Sequence, residues 1–280
     1  MLKRNPSLIK LSLIVSVYFS QNKLDFLHSL LKRYSKYSED VLASLQIIIV
    51  DDGSPTPITI PENLNMNILL LRIEDDIQWN QAGGRNLGVA YAKSDKILLT
   101  DLDHEFPEQT LRHLINKSNP TRKIYKFNRV GNNGKRMSSG ANIFYLSRSR
   151  FLKYNGYDEE FCGHYGFEDT WFYKWQRFHG SMSKYLNSKY FVKLRIDDCS
   201  QNEHTLVRDA SFNKIVFERK KEENKKYGGD FGHSKTFLNF KWKIEKDLYR
   251  DCQNVQITEN RWWLRLWYLR WPFGDNGIFG

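Results

Sequence analysis

Two short apolar runs in the first half of this 280-residue chain each end abruptly in a pair of acidic residues. Gln-Ile-Ile-Ile-Val is followed by Asp51 and Asp52, and Lys-Ile-Leu-Leu-Thr is followed by Asp101 and, two residues later, Asp103. Continuous apolar runs of this length indicate strands that are covered on both faces, as in a parallel sheet. Because ligands of such sheets bind beyond the carboxyl ends of the strands, both acidic pairs are predicted to lie at one ligand-binding edge.

Strand and helix signals alternate around these two runs. The segments that carry them lie at 11–18, 22–37, 46–50, 68–73, 80–93, 96–100 and 107–117. The first, third, fourth and sixth segments are predicted strands, and the others are predicted helices. Such alternation joins neighbouring strands in parallel, so we predict an α/β fold with a doubly wound, mostly parallel central sheet that is Rossmann-like in its first half.

The second half of the chain has weaker strand signals and ends in an aromatic segment. Strands are predicted at 124–130 and 141–146, and a Lys- and Glu-rich helix is predicted from about residue 209 to 226. Residues 261–271 hold four of the eight tryptophans. This segment either packs on the domain or anchors the protein at a membrane interface, with Trp at headgroup depth and Arg towards anionic lipid.

The charge balance favours an anionic partner. Lys and Arg number 43 against 32 Asp and Glu, a formal net charge of +11, which suits nucleic acid, anionic lipid or a phosphorylated ligand. The three cysteines are scattered, which argues against a zinc ribbon and fits the reducing cytoplasm. The apolar run at 11–19 is interpreted as a buried strand rather than a signal peptide, and no transmembrane helix is expected.

The two acidic pairs are the first candidates for chemistry. Asp101 and Asp103, one residue apart and just past a strand, can converge on Mg²⁺ or Mn²⁺, which prefer oxygen ligands and are commonly shared with substrate phosphates. A solvated turn that caps the next helix is the alternative. A carboxylate at Asp51 or Asp52 can accept a hydrogen bond from a nucleobase N–H or a ribose hydroxyl, and a type I turn with a capping Asp is the alternative there.

A family resemblance joins these pieces. The stretches VSVYFSQNKLDFLHSLL, IIIVDDGS and GGRNLGVAYAKSDKILLTDLDHEF, within residues 11–110, resemble the nucleotide-binding half of glycosyltransferase family 2, which has the GT-A fold. The order and spacing of the first strand and helix, DDGS, Arg-Asn-x-Gly and DxD all match. The resemblance implies that Asp51 and Asp52 contact the base and the ribose of a nucleotide.

The same resemblance assigns the phosphate and metal side of the donor site. It implies that Arg85 is the basic residue near the donor, that Asp101 is a ribose or metal-side contact, and that Asp103 is the direct metal ligand. A guanidinium suits this place because it can fork onto phosphate oxygens. A surface ion pair is the alternative for Arg85.

The segment from Gly156 to Trp171, GYDEEFCGHYGFEDTW, carries a second resemblance. It is similar to the acceptor-side motif of the β-1,4-galactosyltransferase-like C-terminal domain, aromatic–Gly–Gly–Glu–Asp, with Phe167 in place of the second glycine. The resemblance implies that Asp169 is the general base and that Glu168 contacts a sugar hydroxyl. Inversion at an anomeric carbon needs such a base, which takes the proton of the acceptor hydroxyl during attack. Helix N-terminal acids that offset the helix dipole are the alternative.

Aromatic residues and histidines complete the candidate site. Tyr165, Phe167, Trp171 and Trp175 are candidates for stacking on sugar rings, and the loop residue Trp79 either lines the donor pocket or caps the core.

Related enzymes often place a metal-binding histidine after the acceptor motif. The resemblance points to His204, with His164 and His104 as rivals. A neutral imidazole suits Mn²⁺ better than Mg²⁺.

These residues predict an inverting glycosyltransferase that moves a hexose or N-acetylhexosamine from a UDP-sugar to a glycan hydroxyl, with Mn²⁺ or Mg²⁺ as cofactor. UDP-galactose, UDP-GalNAc, UDP-glucose and UDP-GlcNAc all stay open as donors. By analogy with the family, we expect cytoplasmic synthesis of a cell-surface polysaccharide or lipid-linked glycan, with peripheral contact to the inner face of the membrane through residues 261–271. We expect a nucleotide-sugar-binding half at 1–120, an acceptor-binding and catalytic half at 121–210, and a helical, basic, Trp-rich extension at 211–280.

Two other functions fit the sequence less well. A metal-dependent nucleotidyltransferase would carry a Gly-rich, Lys-bearing phosphate loop near the N-terminus, but the first turn, residues 16–22, has no glycine. A basic nucleic-acid-binding protein would account for the charge of +11, but no nucleic-acid-binding motif occurs and the basic residues are interspersed with acidic ones. No nucleic-acid partner is therefore expected.

Overall fold

Residues 9–20, 24–131, 133–140, 142–195 and 206–249 are described by the computed structural model. The strands are β1 (Leu11–Val17), β2 (Leu45–Asp51), β3 (Asn67–Ile73), β4 (Lys96–Thr100), β5 (His104–Glu105), β6 (Lys123–Lys126), β7 (Asn128–Val130), β8 (Arg136–Met137), β9 (Phe144–Ser147), β10 (Met182–Tyr185), β11 (Phe191–Leu194) and β12 (Trp242–Leu248). The helices are α1 (Asp25–Tyr34), α2 (Glu39–Ser44), α3 (Gln81–Tyr91), α4 (Glu108–Asn116), α5 (Arg148–Lys153), α6 (Glu168–Phe178) and α7 (Ser211–Tyr227).

The central sheet has eight strands in the order β10-β6-β9-β4-β1-β2-β3-β12. The strands β4, β1, β2 and β3 run parallel to one another, as do β10 and β6, whereas β9 and β12 run antiparallel to their neighbours. The predicted strands at 11–18, 46–50, 68–73 and 96–100 correspond to β1, β2, β3 and β4. The predicted mostly parallel α/β sheet is therefore confirmed.

Side chains that alternate along the parallel strands fill two core layers. Leu13 and Val15 of β1 lie in the layer that α1, α2 and α4 cover, whereas Ile14 lies in the layer that α3, α5 and α6 cover. Burial on both faces is the reason that these strands are apolar at successive positions rather than at every second one.

Helix α3 is buried along nearly its whole length and lies close against β1. Its glycines permit this approach, because a Cβ at Gly84 would lie 2.2 Å from Ser16 Oγ and one at Gly88 would lie 2.3 Å from Ile14 Cγ2. The glycines of this predicted helix thus serve close packing, and they hold Arg85 near the carboxyl ends of the strands.

A second sheet, in the order β5-β11-β7-β8, carries the residues that follow Asp103. The strand β5 pairs antiparallel with β11, and the backbone N–H of Arg195 donates to the carbonyl oxygen of Asp103 at 2.9 Å. The predicted strand at 124–130 is divided between the two sheets, because the fully buried Phe127 separates β6 from β7.

The C-terminal part of the described chain returns to the first half. Helix α7 corresponds to the charged helix predicted from about residue 209 to 226, and β12 then pairs antiparallel with β3. Trp242 lies opposite Ile73, so the last described strand forms one edge of the central sheet. Among the residues described, no helix combines the length and the apolar character that a membrane crossing needs.

Candidate active site

The carboxyl ends of β2 and β4, together with α3, bring the predicted donor-side residues to one edge of the sheet. Asp51 is the last residue of β2, Asp52 follows it, and Asp101 follows β4. The strand β1 lies between β2 and β4, so the two acidic pairs are separated by one strand.

Arg85 of α3 connects the donor side with the acceptor motif. Its side chain is fully buried, its Nη2 donates to Asp101 Oδ1, and its Nη1 donates to Asp169 Oδ1 and, at 3.0 Å, to the hydroxyl of Tyr157. Burial alone would lower the pKa of this guanidinium, but the nearby charges of Asp169 and Asp101 hold its pKa well above the ordinary value. One cation therefore ties together carboxylates that are distant in the sequence.

Asp101 has both carboxylate oxygens engaged by protein donors. Gln81 Nε2 donates to Oδ1 at 2.7 Å, beside the bond from Arg85, and Asn142 Nδ2 donates to Oδ2. The side chain of Asp103 is 39% exposed, and its Oδ1 has no hydrogen-bond partner among the described residues. Asp103 is thus the less encumbered of the two carboxylates.

Asp101, Asp103 and His104 each place one possible ligand atom in the same small region of the site. These atoms all lie within 4.8 Å of one another, and His104 Nδ1 lies 3.3 Å from Asp103 Oδ1. Burial lowers the pKa of His104, which favours its neutral, metal-binding form, although Asp103 opposes this shift. Two oxygens and one imidazole nitrogen fit Mn²⁺ or Mg²⁺, and the imidazole favours Mn²⁺.

Asp51 and Asp52, at the end of β2, differ in how many protein donors their carboxylates accept from. Asp51 forms an ion pair with Arg72 and accepts the backbone N–H of Ser54 at 2.9 Å, so it shapes the turn. Asp52 is buried, and its Oδ1 has no hydrogen-bond partner among the described residues. Burial, with repulsion from Asp51, raises the pKa of Asp52 to about 8.

Glu168 and Asp169 form the first turn of α6. Both hydrogen bonds of Asp169, from Arg85 and from the Tyr157 hydroxyl at 2.7 Å, fall on Oδ1. Burial raises the pKa of Asp169 to about 6 and that of Glu168 to about 7, and the charge of Asp169 adds to the latter. Both carboxyls therefore hold a proton more tightly than ordinary acids do, as a general base working near neutral pH should.

Two of the predicted sugar-stacking residues lie elsewhere. Trp171 and Trp175 are buried and pack with Phe217 of α7, so they belong to the core rather than to the site. Their spacing of four residues places both on the inner face of α6. Tyr165 and Phe167 are partly exposed and remain candidates for contact with a sugar.

Trp79 lies against the acceptor motif. Its ring centroid is 4.7 Å from that of Tyr165, and its indole N–H donates to the carbonyl oxygen of Val207 at 3.1 Å. It therefore connects the loop before α3 with the segment before α7.

Several residues at the site carried no signal in the sequence. Gln81 and Asn142 hold Asp101, and their amide side chains are common in loops and helices alike. Asn86, by contrast, did carry a signal, because it is the Asn of the Arg-Asn-x-Gly stretch. It accepts the backbone N–H of Tyr157 at 2.8 Å and donates to the Tyr157 carbonyl oxygen at 2.9 Å, so it holds the tyrosine that accepts from Arg85.

Two predicted features lie outside the described residues: His204 and the aromatic segment at 261–271. The described residues on either side of the segment that contains His204 are anchored at the site. Arg195 bonds to the backbone of Asp103, and the carbonyl of Val207 accepts from Trp79.

Comparison with known proteins found one matching family profile and several similar solved structures. The sequence profile of Glycosyl transferase family 2 matches residues 12–186. No curated protein sequence matches the chain. Among solved structures, S. aureus TarS 1-349 in complex with UDP-GlcNAc aligns with a TM-score of 0.58 and 14% identity, over 77% of this chain and 67% of that one.

Two further solved structures resemble the chain. S. aureus TarS without a stated ligand aligns with a TM-score of 0.52 and 15% identity, over 77% of this chain but only 40% of that one. A Drosophila β-1,4-galactosyltransferase 7 mutant in complex with manganese, UDP-Gal and xylobiose aligns with a TM-score of 0.47 and 14% identity, over 74% of this chain and 79% of that one. At such low sequence identities the TarS alignments are evidence of a shared fold alone. They agree with the predicted GT-A type of α/β fold.

Proposed function

The chain belongs to glycosyl transferase family 2 and is a glycosyltransferase, and on that premise we propose that it moves a hexose or N-acetylhexosamine from a UDP-sugar to a glycan hydroxyl with inversion. The observation that carries this proposal is the contact of Arg85 with both Asp101 and Asp169. It joins the edge of the sheet that would bind the nucleotide to the carboxylate that would act as the general base. The TarS structures with UDP-GlcNAc and with UDP are consistent with a UDP-sugar donor.

On the donor side, Asp52 would accept a hydrogen bond from the base or ribose, and Asp51 would maintain the turn that presents it. Asp103 and His104 would hold Mn²⁺ or Mg²⁺, with Asp101 beside them and His204 as the further ligand that the family resemblance implies. The bound cation would neutralise negative charge on the departing diphosphate. This role agrees with the exposure of the Asp103 side chain and with the burial that lowers the pKa of His104.

On the acceptor side, Asp169 would take the proton of the attacking hydroxyl and Glu168 would bind a neighbouring sugar hydroxyl. Arg85 and Tyr157 hold Oδ1 of Asp169, which would leave Oδ2 to receive the proton. A pKa of about 6 leaves Asp169 mainly ionised at neutral pH while keeping it a stronger base than an ordinary aspartate.

The setting of the reaction is part of the same proposal. The acceptor would be a cell-surface polysaccharide or a lipid-linked glycan, and residues 261–271 would contact the inner face of the membrane from the cytoplasm. The nucleotide-sugar-binding half would span 1–120, the acceptor half 121–210, and the extension 211–280. The antiparallel pairing of β12 with β3 attaches this extension to the sheet of the first part.

Release of UDP from a panel of UDP-sugars, with Mn²⁺ and with EDTA, tests the proposal. We expect release that depends on metal with at least one donor, and Asp103→Ala should abolish it. Asp40→Ala serves as the matched control, because Asp40 is an exposed carboxylate that pairs with Arg112 away from the site. Metal-dependent release at full rate in Asp103→Ala would refute the metal assignment.

A further inference from the structure

Residues 161–167, here called the acceptor loop, connect a short helical turn with α6 through an unusual backbone. Gly163 and Gly166 have φ of +96° and +89°, and Phe167 has φ of +69°. Glycine adopts this left-handed region freely, but a side chain with a Cβ does so at a cost. Phe167 directly precedes Glu168, so this costly conformation sets where the first turn of α6 begins.

One face of α7 packs against the acceptor loop and forms hydrogen bonds with its backbone. Asn213, fully buried, directs its Nδ2 at the carbonyl oxygens of Phe161, His164 and Gly166, at 3.0, 2.8 and 2.9 Å. A primary amide has two protons, so these three bonds share them. A single side chain thus satisfies carbonyl groups along most of the loop.

Two further residues lie on the same stripe of α7, four and seven positions after Asn213. The ring centroid of Phe217 lies 5.1 Å from that of Phe167. Lys220 is almost completely buried, and its Nζ lies 2.6 Å from carboxylate oxygens of both Asp158 and Glu160, just before the loop. Helix α7 lies outside residues 12–186, the part of the chain that the family profile matches.

We infer that Asn213 is a positioning residue that holds the acceptor loop, and through it Phe167, in the conformation that presents Asp169 to the acceptor. A residue in a strained backbone conformation persists only where its surroundings over-determine it, and Asn213 supplies that restraint. Without its three bonds, Phe167 relaxes towards negative φ and the first turn of α6 shifts relative to Arg85. The inference rests on the proposed role of Asp169 as the base.

Asn213→Ala is the direct test, with Asn224→Ala as the matched control. Asn224 is on the same helix and donates to the carbonyl oxygen of Phe231 at 3.0 Å, away from the site. We expect Asn213→Ala to lower kcat for transfer about 10- to 100-fold while leaving the KM for the UDP-sugar unchanged, since small misplacements of reacting groups cost this much. Asn224→Ala should leave both constants unchanged. Equal loss of kcat in both variants would overturn the inference.

A double-mutant cycle with Phe167→Gly separates positioning from general stability. Glycine takes the left-handed conformation without restraint, so the loss of kcat on Asn213→Ala should shrink to less than about threefold when Phe167→Gly is also present. The same loss in both backgrounds would show that Asn213 does not act through Phe167, and would overturn the inference.

Hydrogen exchange tests the restraint without any assay of activity. Asn213→Ala should speed amide exchange within residues 161–167 and leave β1 and β2 unchanged, and Asn224→Ala should not affect the acceptor loop. Unchanged exchange in the loop, or faster exchange throughout the chain, overturns the inference. If the wild-type protein shows no transfer but the loop responds as expected, the proposed function fails while the restraint stands. Should Asn213→Ala not fold, Asn213→Ser, which keeps one short donor, is measured in its place.

Discussion

Arg85→Ala tests the connection between the two sides of the site most directly. The change removes a fully buried cation and leaves the carboxylates of Asp101 and Asp169 without it. Removing one partner of a buried ion pair typically lowers the free energy of unfolding by about 3–5 kcal/mol. Asp101 keeps its bonds from Gln81 and Asn142, so we expect the loss to lie near the lower end.

A loss of about 3 kcal/mol is a large part of the roughly 5–15 kcal/mol that stabilises a typical protein, but it leaves the chain folded. It corresponds to a fall in Tm of about 6 °C for a domain of this size. Arg85→Lys keeps the charge but loses the planar fork whose two ends donate to the two carboxylates, so its stability should fall between those of the wild type and Arg85→Ala. Urea unfolding of the three proteins measures the series.

Arg85→Ala should also shift the dependence of activity on pH. Burial raises the pKa of Asp169 to about 6, and Arg85 opposes this rise. The acidic limb of the kcat/KM profile should therefore lie near pH 6 in the wild type and at higher pH in Arg85→Ala.

The contribution of Asp169 to stability changes with pH in the opposite direction to its contribution to activity. Because the folded-state pKa of Asp169 lies above its ordinary 3.8, its contribution is greatest below pH 4 and is lost as the pH rises through about 6. An unchanged acidic limb together with a loss below about 1 kcal/mol in Arg85→Ala would refute the reasoning.

Three further changes test other parts of the molecule. Asp169→Asn should retain affinity for the UDP-sugar, measured by titration, and lower kcat for transfer about 100-fold or more; lost affinity with retained turnover would assign Asp169 to binding. Lys220→Ala leaves the buried Asp158 without its ammonium partner and should cost about 3 kcal/mol in urea unfolding. The neighbouring, exposed Lys221→Ala should cost less than about 0.5 kcal/mol, and similar costs for the two would contradict the difference in burial. Deleting the chain from Arg261 onward should move the protein from the membrane to the soluble fraction, and unchanged fractionation favours packing of that segment on the domain.

The parallel strands of the sheet could be predicted from the sequence because each buried strand is marked by an apolar run of consecutive residues. The apolar runs that end in Asp51 and Asp101 identify β2 and β4, and the order of motifs identifies the family. The same local character explains why the acids could be placed at one edge, since the carboxyl ends of parallel strands meet there.

The contacts within the site were beyond the sequence because they join residues far apart in it. Arg85 and Asp169 are 84 residues apart, and nothing in either segment indicates that one donates to the other. For Trp171 and Trp175 the sequence pattern is visible, but it fits two different structures. An aromatic pair four residues apart fits a core stripe as well as a sugar platform, and only the position of α7 decides that it is core.

The late position of β12 in the chain has a consequence for biosynthesis. The apolar strand β3 ends at Ile73, but its partner β12 begins only at Trp242, so most of the protein leaves the ribosome before that strand edge is paired. An unpaired apolar edge is a template for association with other chains. Nascent chains that stall before β12, and truncations that lack it, are therefore the forms of this protein most exposed to aggregation.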